Sequence, residues 1–356
     1  LGLRRQAACR ATPLSLRGPA QIYRAASRRA LAAARKGSVR VVCLLRLGWA
    51  AAVICVTCSA FARAQEPVLP DFHADPSARV FNGRLYVYPS HDAAGARNWK
   101  SMVDWPVFST ADLKAWTAHG VAFSLKDIAW AKAEAWAPDC VERGGKFYFY
   151  FTAGGQIGVA VSDSPVGPFK DALGKPLIEK REAGIRYAID PCVFIDDGPS
   201  ADAGRSGQAY LYYGGGRQLG VVKLKADMVT RDGPIQVVEM TKYYEGIWVH
   251  KRSGRYYASY PTRPAGGQAN VLVYSTAQSP LGPWSYQGEI LDNRSHNNHG
   301  SITAFNGQSY LFYHVEGPSH WERRVCVAPL DYNEDGTIKP IRLSPDKAPD
   351  SLSRGP

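Results

Sequence analysis

Three acidic residues carry the chemical interest of this sequence. Asp75, Asp190 and Glu245 each stand at the head of a short apolar run, and Trp136 and His299 head two more. The five positions are separated by steps of 61, 54, 55 and 54 residues. Carboxyl groups that share a cleft suit general acid–base work. In glycosidic-bond cleavage one carboxylic acid protonates the leaving oxygen, while a second carboxylate activates water or attacks directly. A third acid nearby raises the pKa of the proton donor by like-charge repulsion. Three carboxyls brought together without a use would only destabilise a fold. Aromatic residues accompany them, namely Phe72, Trp136, Tyr187, Tyr244 and Trp248. Sugar rings expose C–H faces that stack on such surfaces.

Residues this far apart need a repeated framework to bring them together, and one is legible. Each head residue leads into an apolar strand, a Gly turn and an aromatic strand. After Asp75 come Ala78-Arg79-Val80-Phe81, Asn82-Gly83 and Leu85-Tyr86-Val87-Tyr88. After His299 come Ile302-Thr303-Ala304-Phe305, Asn306-Gly307 and Tyr310-Leu311-Phe312-Tyr313. The units at Trp136, Asp190 and Glu245 turn at Gly144-Gly145, Asp197-Gly198 and Ser253-Gly254. Asn-Gly and Asp-Gly between apolar runs are strong hairpin signals, because both turn residues need φ > 0. A fixed period of two strands around a turn marks a repeated all-β unit, and five such units predict a five-bladed β-propeller. The innermost strand of each blade then starts beside the axis, which places Asp75, Trp136, Asp190, Glu245 and His299 on one ring. Pro76 is expected to hold Asp75 extended. Segments 108–116, 159–169 and 271–284 read as outer hairpins, and Pro67 to Asp71 together with the final strand are the candidates for closing the ring.

Residues 1–64 differ in kind. They hold 12 Arg or Lys and no acidic residue, so the net charge of +12 lies wholly in this leader. A nucleic-acid partner inferred from the basic pI would confuse the leader with the domain. Arg40 and Arg46 precede the apolar run Leu47 to Phe61, and Ala62-Arg63-Ala64 follows. A basic flank, a short apolar core and an A-x-A end describe a secretory signal peptide, with cleavage expected after Ala64. Residues 65–356 would then form a single catalytic domain, secreted or periplasmic and free of the membrane. The alternative is an uncleaved anchor, although the run is short for a bilayer. Of seven cysteines only Cys140, Cys192 and Cys326 lie beyond the leader, an odd number that gives no disulfide framework.

Taken singly, each head residue also has a plainer reading. Asp-Pro starts turns, Trp136 can fill a core, and a lone His is more often a hydrogen-bonded core residue than a ligand. Their common phase carries the functional reading. His73, His91, Asp92 and Glu134 stand near the predicted mouth as rim contacts or solvated loop residues, and Asp139 could reach substrate.

At this point the motifs resemble a known family. Phe72-His73-Ala74-Asp75-Pro76-Ser77, Trp136-Ala137-Pro138-Asp139, Ile189-Asp190-Pro191, Tyr244-Glu245-Gly246 and Asn298-His299-Gly300-Ser301 are similar to those of glycoside hydrolase family 43, over residues 67–340. The resemblance implies a five-bladed propeller of inverting enzymes acting on plant cell-wall arabinoxylan and related saccharides. It implies Asp75 as general base, Glu245 as general acid and Asp190 as pKa modulator. Phe72, His73, Trp136, Trp248 and Arg323 are assigned to substrate binding, Arg323 as the arginine before the final strand. His299 would sit at the axis beside a hydrated calcium ion, although one imidazole cannot make a calcium site alone. Inversion would set the base and acid roughly 6.5–9.5 Å apart. Similarity of segments 101–120 and 127–139 to xylosidase-like members favours a β-1,4-xylosidase, with α-L-arabinofuranosidase or arabinanase as the alternative. A catalytically idle sugar-binding propeller is the alternative of another class, and it would have no need of three carboxylates.

Overall fold

Four of the five predicted hairpin turns have both central residues at positive φ. These are Asn82-Gly83 at 50° and 74°, Gly144-Gly145 at 62° and 76°, Ser253-Gly254 at 49° and 78°, and Asn306-Gly307 at 50° and 82°. That is the backbone a tight two-residue hairpin requires, and it sets the register of each repeat. The structure, a computed structural model, describes residues 66–197, 207–264, 270–293 and 295–343. The leader with its expected cleavage site, and Gly198 of the fifth turn, lie outside the described residues.

The hairpins build five antiparallel sheets. The first joins β1 (His73–Phe81), β2 (Arg84–His91), β3 (Asp104–Thr110) and β4 (Trp116–Ser124). The second joins β5 (Trp136–Arg143), β6 (Lys146–Ala153), β7 (Gln156–Ser162) and β8 (Lys170–Asp171). The third joins β9 (Cys192–Asp196), β10 (Gln208–Tyr213), β11 (Leu219–Leu224) and β12 (Gln236–Val238). The fourth joins β13 (Trp248–Arg252), β14 (Arg255–Thr262), β15 (Val271–Ala277) and β16 (Ser285–Leu291), and the fifth β17 (Gly300–Phe305), β18 (Gln308–Glu316) and β19 (Arg323–Leu330). Their first strands meet in a ring. β1 packs against β5 and β17, β5 against β9, β9 against β13, and β13 against β17. The sheets are therefore the five blades of a β-propeller, as predicted.

Ring closure falls where the sequence placed it. Val68 N–H donates to the carbonyl of Val325 at 2.8 Å, so the lead-in joins the edge of the three-stranded fifth blade. Leu69 shares a core cluster with Phe305, Phe312 and Val325. The aromatic second strands pack between blades. Tyr88, Phe149, Phe151, Tyr212, Tyr257 and Phe312 are fully buried, and full burial of a Phe-sized side chain is worth about 1.5–3 kcal/mol. Cys140, Cys192 and Cys326 are unpaired and buried, small apolar residues in this packing.

Asp139 corrects the expectation that it might reach substrate. Its carboxylate is fully buried between three blades. Oδ1 accepts from Ser77 Oγ (2.6 Å), Arg79 Nε (2.9 Å) and Cys140 N–H (2.8 Å), and Oδ2 from Arg79 Nη2 (2.5 Å) and Val193 N–H (2.7 Å). It thus ties β1, β5 and β9 at the axis. Asp139→Ala would strand a mostly buried guanidinium and a backbone N–H, and breaking a buried pair costs roughly 3–5 kcal/mol. The expected result is a large fall in the urea midpoint. An unchanged midpoint would show that the junction does not depend on this ion pair.

Candidate active site

The five head residues arrive at one pocket. Asp75, Trp136, Asp190, Glu245 and His299 line a cavity of ≈ 170 Å³ together with Arg323, Trp99, Met102, Ile189, Asn297 and Asn298. Local irregularities aim them inward. The β1–β2 register slips between Ala74 and Ser77, and the β5–β6 register between Trp136 and Asp139. Bulges of this kind re-aim a side chain. Asp75 and Asp190 sit at φ of 50° and 56°. The expectation that Pro76 holds Asp75 extended is therefore wrong: the bulge puts the residue in the left-handed region. Left-handed backbone at a non-Gly residue costs on the order of 1–3 kcal/mol, and such strain gathers at functional sites. Gly246 is needed as glycine. Its φ is +53°, and a Cβ there would lie 3.1 Å from the His299 ring.

Asp75 is the ionised carboxylate. Its Oδ1 accepts from Arg323 Nη1 at 2.9 Å and its Oδ2 from Ser90 Oγ at 2.7 Å. Burial opposes its charge, but Arg323, then His314, His299 and the Ser90 hydroxyl outweigh burial and hold its pKa at about 2. Asp75 N–H donates to His314 Nδ1 at 3.1 Å, which makes Nε2–H of His314 the donor to the Asn297 carbonyl at 2.9 Å. Burial and the nearby Arg323 keep that imidazole neutral, with a pKa of about 3. Arg323 is itself anchored. Asp92 accepts from its Nε and Nη2 at 2.9 and 2.8 Å, and Trp99 lies over the guanidinium at 4.8 Å.

Glu245 is the opposite case. Burial, then the charge of Asp75, pushes its pKa up to about 7 against the pull of Arg263, Arg323 and a hydrogen bond from Asn297. That bond, Asn297 Nδ2 to Glu245 Oε1, is 3.0 Å. Burial, then Glu245 and Asp75, drives Asp190 well above the carboxylate range, although Gly246 N–H donates to its Oδ2 at 3.1 Å. Asp190 and Glu245 repel each other in a desolvated site and hold a proton at neutral pH. The pocket therefore contains a permanent carboxylate and a carboxylic acid, the two groups that acid–base hydrolysis requires.

Three residues assigned to substrate binding lie elsewhere. Trp248 donates Nε1–H to the Ile302 carbonyl at 2.8 Å, lies under Arg79 at 4.1 Å and lines a groove made by the far ends of the inner strands. Three residues beyond Glu245 is roughly 10 Å along a strand, which carries the indole away from the mouth. His73 is buried, with Nδ1 2.8 Å from the Pro70 carbonyl and its ring stacked on His91 at 5.1 Å. The slip after Ala74 breaks the alternation that would have set it beside Asp75. Phe72 packs beneath Arg324 at 5.1 Å, outside the pocket wall. Trp136 does line the pocket, pinned by Nε1–H to the Trp99 carbonyl at 2.7 Å. Asn297, Ser90, His314 and Trp99 were missed, and Asp92, expected only near the mouth as a rim or loop residue, is the carboxylate that holds Arg323. The signal for Ser90, Asp92 and His314 is present nonetheless. The second strand of each hairpin returns to the mouth, so a polar residue after its aromatic run comes back beside the head residue.

His299 sits at the axis with Nδ1 3.7 Å from Asp75 Oδ1. Calcium takes six to eight oxygen ligands. Among the described residues no three His, Cys, Asp or Glu side chains are arranged to hold a metal ion, and the carboxylate beside His299 is already held by Arg323. This donor set does not form a protein-ligated calcium site.

Comparison with known proteins agrees with this geometry. The sequence model of glycosyl hydrolases family 43 matches residues 64–338. A β-xylosidase of Xylanibacter ruminicola is 33% identical over 329 residues, covering 76% of this chain and 97% of the relative. Among solved structures, a family 43 β-xylosidase/α-arabinofuranosidase from a compost microbial metagenome, in complex with xylotriose in a calcium-free form, superposes with a TM-score of 0.68 at 34% identity, covering 78% of this chain and 97% of that one. An α-L-arabinofuranosidase of Clostridium thermocellum superposes at 0.66 with 39% identity, over 76% of this chain and 94% of its own.

Proposed function

This chain belongs to the glycosyl hydrolases of family 43, and on that premise we propose that it releases xylose from the ends of xylan-derived saccharides, inverting the anomeric carbon. One observation carries the reading: across a single pocket, Asp75 is held ionised by Arg323 while Glu245 is held protonated near neutrality. Asp75 takes a proton from water as that water attacks the anomeric carbon, and Glu245 gives its proton to the departing glycosidic oxygen. Asp190, driven well above the usual carboxylate range by burial and by the charge of Glu245, takes the modulator's place beside that acid. Arg323 and Asn297 stand between base and acid as a hydrogen-bonded bridge. That supports the wider spacing of inverting enzymes over the roughly 5 Å of retaining ones. The pocket, at ≈ 170 Å³, is small beside the roughly 300–1,000 Å³ of sites for drug-sized ligands, which favours a terminal sugar over an internal stretch of chain.

The relatives named for xylosidase and arabinofuranosidase activity support xylan- and arabinoxylan-derived substrates. The 39% identical arabinofuranosidase favours α-L-arabinofuranosides as the second reading. A non-catalytic sugar binder would not need a buried acid poised opposite an anchored carboxylate. The basic leader ending in Ala62-Arg63-Ala64 supports export to the periplasm or medium, with cleavage after Ala64. A hydrated calcium ion near His299 would be structural, and no step is assigned to it. The experiment is hydrolysis of aryl β-D-xyloside and aryl α-L-arabinofuranoside, with the first product anomer followed by NMR. Expected are faster xyloside cleavage and initial α-xylose. Initial β-xylose would remove the inverting mechanism, and preference for the arabinofuranoside would promote the second reading.

A further inference from the structure

We propose that Asn297 is a positioning residue for the acid, holding the Glu245 carboxyl so that the proton given to the leaving oxygen sits on Oε2. The inference rests on the hydrolase reading above and begins with what Arg323 cannot do. A guanidinium has five donors and no acceptor. The amide atom of Asn297 that lies 2.9 Å from Arg323 Nη1 must therefore be its oxygen. That fixes the amide plane and leaves the NH2 pointing at Glu245 Oε1, 3.0 Å away. An oxygen receiving that N–H is the acceptor of the carboxyl group, so the acid proton belongs on the other oxygen. The backbone of Asn297 is fixed as well. His314 donates Nε2–H to its carbonyl at 2.9 Å, while His314 Nδ1 accepts the N–H of Asp75 at 3.1 Å.

Two routes thus connect the base to the acid through one asparagine: Asp75 carboxylate to Arg323 to the Asn297 amide, and Asp75 backbone to His314 to the Asn297 carbonyl. The arrangement keeps the proton donor in register with the base on the far side of the sugar. The same amide N–H favours the ionised form of Glu245, so losing it has two effects at once. The acid is less well aimed, and it becomes harder to ionise.

The test compares two substrates whose leaving groups need protonation to different degrees. Xylobiose must release a sugar hydroxyl, a poor alkoxide leaving group unless the acid protonates it; 2,4-dinitrophenyl β-xyloside releases a stable phenolate that hardly needs the proton. Asn297→Ala is expected to lower kcat on xylobiose by about 10²-fold, the lower end of what general acid catalysis supplies, and on the dinitrophenyl xyloside by no more than about threefold, on that same reasoning. The alkaline limb of the kcat–pH profile should move upward. Asn297→Asp keeps the volume and the Arg323 contact but replaces the donor by a charge. It should show the same substrate split with a larger upward move, at a melting temperature near the wild type. Equal losses on both substrates, or an unmoved alkaline limb in a variant that melts normally, would overturn the proposal. Wild-type inactivity on both xylosides would overturn the xylosidase reading instead. The same comparison on alkyl and dinitrophenyl α-L-arabinofuranosides would then decide the role of Asn297.

Discussion

Asp75→Asn should slow xylobiose hydrolysis by about 10³- to 10⁴-fold, toward the upper end of what a positioned general base supplies, with KM little changed. The carboxylate exists as an anion because Arg323 Nη1 and Ser90 Oγ both donate to it. An amide keeps the shape: its oxygen can accept from Arg323 Nη1 while its NH2 donates to Ser90 Oγ, but it cannot take a proton from water. The fold should persist, since Asp92 retains its own hold on Arg323 through Oδ1 and Oδ2. Circular dichroism and the melting curve check that. Azide should restore turnover of an activated aryl xyloside. It attacks the anomeric carbon from the side Asp75 serves and needs no base, forming a C–N bond while the aryl oxygen departs. The product expected is the α-xylosyl azide. A variant that keeps more than a tenth of wild-type kcat would remove Asp75 from its role.

Arg323→Met is the second large effect, and it changes both stability and pH dependence. The guanidinium bridges two buried carboxylates, Asp75 and Asp92. Removing one partner of a buried ionic cluster costs roughly 3–5 kcal/mol, because charge is left without compensation. In the native protein Asp75 titrates near 2, below its usual 3.8. Its depressed pKa therefore adds stability above pH 3.8, and that contribution is lost as pH falls toward 2. Without Arg323, burial, already the largest single influence, loses its main counterweight and the pKa of Asp75 moves upward. The sign then reverses: the group destabilises the folded state once it must ionise. Urea unfolding should show a deficit that is largest at neutral pH and shrinks on acidification. The acid limb of kcat/KM should move up by at least one pH unit, the shift equivalent to about 1.4 kcal/mol. A pH-independent deficit with an unmoved acid limb would show that Arg323 acts only as packing.

The repeat was legible because each hairpin is specified locally. Asn82-Gly83 and Asn306-Gly307 can reverse the chain wherever they stand, since both residues tolerate positive φ. Equal spacing of such turns brings their head residues to one end of the inner strands, and so Asp75, Asp190, Glu245, Trp136 and His299 were readable as a set. Trp248 was misplaced for a reason the spacing itself contains: it stands three residues beyond Glu245, where β13 begins, and lines the groove rather than the mouth.

The amino-acid sequence alone thus determined the all-β class, the five blades, the closing strand and the three carboxyl groups, while Arg323 was reached only through the family resemblance. Only the closed ring decided which carboxyl is charged. Asp75 and Glu245 are both acids at the head of similar repeats, and nothing local tells them apart. Their difference comes from neighbours distant in sequence: Arg323, 248 residues from Asp75, and Asn297, 52 residues from Glu245. Asp92 and Trp99, which seat Arg323, also come from the other end of the chain. Proton affinity in a desolvated pocket is set by the nearest charges and donors, and those are known only once the blades have met.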